Sequence, residues 1–166
     1  MAFCFILILQ YLLPTPCSFG FSDKVVAFVE DDAITLSEFQ QQYRNAKKLL
    51  PDIKEEEVIN TMINRRLILR DAKKYRIEAP TEDEITREYI DLKVRAFIKV
   101  GDQDVVDFYK QNISQFSGKD FEDVRDEIEK YLTEKDLNER LKETIKELRK
   151  DVYLKIQLGP ANDTGK

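Results

Sequence analysis

The chain has 166 residues, with 27 basic against 32 acidic side chains, a formal net charge of −5, no His and two Cys. Apolar residues make up 42%, which suits one domain of ordinary size and leaves too little chain for two full ones. The lack of His removes the commonest general base and metal ligand, and scattered basic residues in an acidic chain argue against nucleic acid, whose phosphates call for a concentrated Lys/Arg surface.

From Phe3 to Leu13 every residue except Gln10 is apolar. Such a run is too short to cross a bilayer, which takes about 20 residues, but it suits the core of a signal peptide. Pro14 and Pro16 break it, and Ser18 and Gly20 supply small residues at −3 and −1, so residues 1–20 read as a signal peptide cleaved after Gly20. Once it is removed, no stable membrane span is expected. Cys4 and Cys17 leave with the leader, so the mature chain has no thiol, no disulfide and no Cys/His zinc site. All the charged side chains lie after Gly20.

KVVAFVE, Lys24 to Glu30, is β-branched and apolar; Asp31 and Asp32 then make a turn into the short run AIT, which predicts two short strands. Acidic pairs can bind calcium, but no further ligands at EF-hand spacing follow, so the pair reads as turn chemistry. Thr35 with Glu38 forms a capping-box signature, and Phe39, Tyr43, Ala46 and Leu50 continue it as an amphipathic helix ending at Pro51.

Asp52 and Glu55 open a second helix in the same manner, running to about Tyr75. Its apolar residues, among them Val58, Ile59, Met62, Ile63 and Leu67, cover more than half the helical wheel and predict a central position. Arg66, Arg70 and Lys73 interrupt that arc. They read as a stripe for an acidic client or anionic lipid, or, in the reading we favour, as side chains snorkelling from the core edge towards acidic neighbours.

Pro80, Thr81 and Glu84 start a third helix, expected through about Lys99. It carries two apolar stripes about 140° apart: Ile85, Tyr89, Leu92 and Ala96 on one, Ile90, Val94 and Phe97 on the other. One stripe can face the core, and the second needs another partner. That partner is either the next helix, from about Asp102 to Asn112 with Val105, Val106, Phe108 and Tyr109, or a bound chain.

Ser117 and Gly118 mark a break before one long, charged helix over residues 120 to 150. Phe121, Val124, Ile128 and Leu132 share a face in its first half; Leu137, Leu141, Ile145, Leu148 and Val152 share another, displaced by over about 100°. Either the helix kinks near Thr133 to Asp136, or its halves pack on different things. No sustained a/d repeat supports a plain coiled coil. Val152 to Leu158 then alternates with period two, a strand whose natural partner is the only other strand material, near residues 24 to 35. GPANDTGK, residues 159–166, reads as a disordered tail. The fold class is therefore mostly α: a small helical bundle with a long C-terminal helix and a small β-sheet joining the N-terminal hairpin to a C-terminal strand.

In order, the phrases DKVVAFVEDDAITLSEFQQQY, EEEVINTMINRRLILRDAKKYRI, VGDQDVVDFYKQN and FEDVRDEIEKYLTEKDLNERLKETIKELRKDVYLKIQL resemble the core module of SurA-type periplasmic chaperones, over about residues 23 to 158. In that family parvulin prolyl isomerase domains are inserted between the helical region and the closing helix and strand. Here QNISQF passes almost directly into FEDVRDEI, leaving no room for one, and the stretch between Ile77 and Asp102 is shorter than in the family.

The resemblance implies a chaperone core domain over residues 21–158, acting in the periplasm of a Gram-negative bacterium. It would hold unfolded or extended outer-membrane or secreted polypeptides, with no cofactor, no metal and no isomerase catalysis. Wet apolar and aromatic side chains are what such a site needs, and Tyr89, Ile90, Val94, Phe97, Phe108 and Tyr109 are the candidates. The alternatives are a secreted helical adaptor or homodimer using the 120–150 helix, or a subunit working with a separate parvulin isomerase.

Overall fold

The computed structural model describes residues 23–116 and 118–158. In chain order they form β1 (Val25–Val29), β2 (Asp32–Thr35), α1 (Leu36–Leu49), α2 (Glu55–Lys74), α3 (Glu82–Lys93), α4 (Asp102–Gln111), α5 (Phe121–Lys150) and β3 (Leu154–Ile156). Short 3-10 helices at Arg95–Phe97 and Ile113–Phe116 follow α3 and α4. The expected signal peptide with its two cysteines, and the tail 159–166, lie outside the described residues.

The sheet is antiparallel in the order β2-β1-β3, so the two ends of the domain meet on one central strand. β3 is shorter than the period-two run suggests, with Val29 opposite Leu154 and Ala27 opposite Ile156. Backbone bonds extend the pairing at both ends: Glu30 N–H to the Tyr153 carbonyl at 2.9 Å and Gln157 N–H to the Val26 carbonyl at 2.7 Å. Val152, Leu154 and Leu158 turn into the core as the alternation requires, while Ile156 stays 48% exposed. The Glu30 carboxylate accepts the Tyr153 N–H at 3.2 Å and pairs with Arg70 at 3.2 Å; these two contacts, the backbone bond first, hold it below the usual carboxylate range.

At the start of α1 the Thr35 hydroxyl oxygen accepts the Glu38 N–H at 3.4 Å, but the Glu38 carboxylate reaches away to Arg66, so only half of the expected box forms. Phe39 is buried and stacks on Tyr43 with ring centroids 5.9 Å apart. Leu50, expected on the same stripe, is exposed, because the helix stops at Leu49 and the backbone turns extended. α2 begins at Glu55 with Lys54, not Asp52, as its N-cap residue. Pro51 and Asp52 belong to a turn instead, in which the Ile53 N–H bonds back to the Leu50 carbonyl at 3.1 Å.

As its apolar arc predicts, α2 is central, packing on β1, α1, α3 and α5 and burying Val58, Ile59, Met62, Ile63, Leu67, Ile68, Leu69 and Ala72. Arg66 points at Glu38 (2.8 Å), Asp32 (3.5 Å) and Glu82 (3.7 Å), and Arg70 at Glu30. These two cations serve acidic neighbours within the fold, which is the structural reading of the stripe.

α3 opens with a complete capping box: the Thr81 hydroxyl accepts the Glu84 N–H at 3.3 Å, and the Glu84 carboxylate accepts the Thr81 N–H at 3.1 Å. It ends at Lys93, six residues before the expected Lys99, and the chain tightens into the 3-10 turn Arg95–Phe97. Its buried face falls between the two expected stripes. Ile85 and Tyr89 come from one, Ile90 from the other, and Thr86 and Lys93 between them are half-buried. Leu92, at the far edge of the first stripe, is 52% exposed.

α5 is one continuous helix of 30 residues whose halves pack on different neighbours, which decides between the two readings of its displaced stripes. Val124 and Ile128 join Val105 of α4 in one buried cluster flanked by Phe121 and Leu132. Leu141, Ile145 and Leu148 pack against Ile68, Ala72 and Tyr89, and Leu148 reaches on to the cluster beneath the sheet. Arg149 ties this second half to α2, donating to the Asn64 side-chain oxygen at 2.6 Å and to that of Asn60 at 3.1 Å.

Candidate functional site

The six candidate residues separate by burial. Tyr89 and Val94 are 1% and 0% exposed and belong to the core, so neither presents a surface to a client. The Tyr89 hydroxyl donates to the Asp71 carboxylate at 2.9 Å; burial first, and then that bond and charge, push the phenol well above its ordinary value. Ile90 is half-buried against the same cluster. Phe97 is 63% exposed on the 3-10 turn after α3, and Arg95 in that turn is fastened to Glu134 of α5 at 3.0 Å.

Phe108 and Tyr109 are the two candidates that the fold brings together with further aromatic side chains. α4 is started by the Gly101 N–H donating to the Asp104 carboxylate at 2.9 Å, and Asp102 pairs with Arg125 of α5 at 2.6 Å. With Val105 interlocked against Val124 and Ile128, the next turn of α4 sets Phe108 and Tyr109 at the rim of the cluster. The Asn112 side-chain amide donates to the Phe108 carbonyl at 2.9 Å and closes the helix. The 3-10 turn that follows swings Phe116 back over both rings, and Gly118, at φ +85°, supplies the left-handed residue that redirects the chain into α5.

The result is a continuous set of five rings. Phe108 lies 6.4 Å from Phe116 and 5.3 Å from Tyr131; Tyr109 lies 5.5 Å from Phe116 and 5.4 Å from Phe121. These are the offset and edge-on separations in which aromatic pairs attract. Between α4, the 3-10 turn and α5 they leave an open groove of about 300 Å³, walled by Phe108, Phe116, Ile128 and Tyr131, with Asn112, Gln115 and Glu127 at its polar edge. Tyr131 is 53% exposed and Ile113 60%, so apolar surface continues beyond the groove. A groove of this size takes one or two side chains of an extended chain and buries their apolar surface at about 25 cal/mol per Å².

Sequence reasoning missed Phe116, Tyr131 and Glu127, which come from a loop and from the solvent side of a charged helix. The available signal was density: five of the chain's 17 Phe and Tyr residues fall between positions 108 and 131. Wider hollows of about 600 Å³ flank α3, but one is walled largely by Arg76, Glu78, Glu84, Arg87, Glu88 and Asp91, the other partly by Arg65, Asp83 and Arg87. Neither has the ring set of the α4–α5 groove. The charged hollow of about 330 Å³ beside Arg66, Arg70 and Lys73 is bounded by Glu30, Asp31, Asp32 and Glu82, which leaves little net attraction for an anionic partner.

Among the described residues no helix is long and apolar enough to cross a membrane. No family model matches the chain, and no curated protein matches it.

Proposed function

We propose that this protein is a holdase that binds extended segments of unfolded polypeptides in the groove between α4 and α5 and does no isomerase chemistry. The carrying observation is the five-ring aromatic set with Tyr131 half exposed at its mouth. Large aromatic surfaces of this kind supply contact area at low conformational cost and tolerate many sequences, which suits transient binding of varied clients. The resemblance to the SurA-type core module supports the same reading. With it come export through the signal peptide 1–20, periplasmic residence, and unfolded outer-membrane or secreted chains as clients. Phe97 and Leu92, both more than half exposed, are secondary candidates for client contact.

The test is aggregation of a urea-unfolded outer-membrane protein diluted into buffer, followed by light scattering. The mature protein is expected to slow it, and Tyr131→Ala to weaken that effect while the fold persists. Scattering unchanged by an excess of the folded protein would refute the proposal. So would an effect that Tyr131→Ala, Phe97→Ala and their combination all leave intact, because the activity would then lie elsewhere on the surface.

A further inference from the structure

The aromatic groove lies in an acidic part of the molecule. Residues 102–132 carry nine acidic and four basic side chains of the chain's 32 and 27, which leaves 23 of each sign elsewhere. The stretch of α4, the connection and the first half of α5 thus sums to −5, while the rest of the chain taken together sums to zero. Arg125 adds no free positive charge here, since Asp102, Asp126 and Glu129 surround it at 2.6, 3.5 and 3.9 Å. Glu127 is different: it is exposed, lines the groove beside Phe108 and Tyr131, and has no ion pair among the described residues.

A half-exposed aromatic face next to an uncompensated carboxylate is a combination that a cationic side chain satisfies at both ends. Its methylene stem lies on the ring, and its charged head is attracted by the ring quadrupole and by the carboxylate. An acidic side chain in the same place meets repulsion from both. We infer that the α4–α5 groove selects extended segments in which Lys or Arg alternates with aromatic or apolar residues, the cationic head seated at Glu127 over Tyr131, and turns away acidic segments. This selectivity rests on the groove being the polypeptide site proposed above, and it adds a preference that aromatic content alone does not give.

The test uses three synthetic peptides of equal length and equal aromatic content, with Lys, Ser or Glu between the aromatic residues, and reads Kd by fluorescence anisotropy. The Lys peptide is expected to bind tightest and the Glu peptide weakest. The gap between them should be about tenfold at low ionic strength and should shrink as added salt shortens the screening length. Glu127→Gln should weaken the Lys peptide about threefold and leave the Ser peptide unchanged, the size of an exposed charge pair. Glu127 is on the surface, so a thermal melt matching the parent shows that the variant is folded. Equal binding of the Lys and Glu peptides would overturn the inference, as would a Lys preference that survives Glu127→Gln undiminished. The Ser peptide keeps the two readings apart. If it binds and Lys gains nothing over it, the selectivity fails and the groove stands; if no peptide binds, both fail together.

Discussion

The two ends of α5 are built from the same kind of helix and come to opposite arrangements. Its C-terminal half lays the half-buried Leu141, Ile145 and Leu148 on an aliphatic interior to which α2 gives Ile59, Ile63, Leu67, Ile68 and Ala72. Its N-terminal half has α4 as its main partner, covers only Val105, Val124 and Ile128 completely, and leaves a rim of rings partly in water. The stretch 102–132 that includes this N-terminal half sums to −5, and the rest of the chain taken together sums to zero. An aliphatic core supplies stability, whereas half-exposed aromatic residues edged by Asn112, Gln115 and Glu127 stay soluble and remain available to a partner. Structure and binding are thus assigned to different ends of one continuous helix.

The largest test of that division is at the sheet end. Deleting residues 152–166 removes β3, its pairing with β1, and the packing of Val152, Leu154 and Leu158 on the first core cluster. The loss should be on the order of 5 kcal/mol, comparable to the whole stability of a small domain, and should appear as loss of cooperative melting. A truncated protein melting at the parent temperature would show that the closing strand is dispensable and that the sheet end is not the stabilising end.

A second test uses two residues from one expected stripe. Val94 is fully buried and Phe97 is 63% exposed, although only two residues separate them. Val94→Ser should cost about 2–3 kcal/mol, from lost apolar contact and a hydroxyl put into the core, whereas Phe97→Gln should cost under about 0.5 kcal/mol. Chemical denaturation of the two single variants measures both. Equal losses would mean that the 3-10 turn does not separate them as described.

These contrasts mark what the sequence could and could not tell. Helix and strand order was legible because apolar periodicity reports which face of an element is buried, and the displaced stripes of α5 signalled two packing partners. The end of α3 was not legible, since apolar residues continue through Val94 and Phe97 while the backbone tightens, and composition carries no mark of that change. Tyr89 illustrates the other limit: a tyrosine at a helical a-type spacing reads the same whether it is wet or buried. Its burial is matched by Asp71, 18 residues away, whose carboxylate accepts a hydrogen bond from its hydroxyl. The groove was half legible, in Phe108 and Tyr109, because Phe116 and Tyr131 join them only through tertiary folding.

Tyr89→Phe gives a third, smaller effect. It removes the hydrogen bond to Asp71 and leaves that carboxylate with Lys74 at 3.0 Å, for a loss of about 1–2 kcal/mol at neutral pH. The sign with pH follows from the raised phenol. Its contribution is fully present below the unfolded value near pH 10 and is lost as alkali ionises the unfolded tyrosine before the folded one. Wild-type stability should therefore fall faster than that of Tyr89→Phe above about pH 10, and the two should converge there. Parallel alkaline unfolding curves would place Tyr89 outside the interior network.

The smallest expected effect on stability is at the groove itself. Tyr131 touches Phe108 from a half-exposed position, so Tyr131→Ala gives up one aromatic pair and little buried area, a cost of about 1 kcal/mol or less. If the acidic end is a binding surface, the same change should markedly weaken suppression of client aggregation, a functional loss out of proportion to the structural one. Val94→Ser gives the converse comparison: it lowers the melting temperature yet should leave binding intact in whatever fraction remains folded, because Val94 does not reach the groove or the surface. Measured side by side, the two variants separate the ends of the molecule along independent axes. A Tyr131→Ala protein that unfolds like a core variant would merge those axes and make the aromatic rim part of the interior.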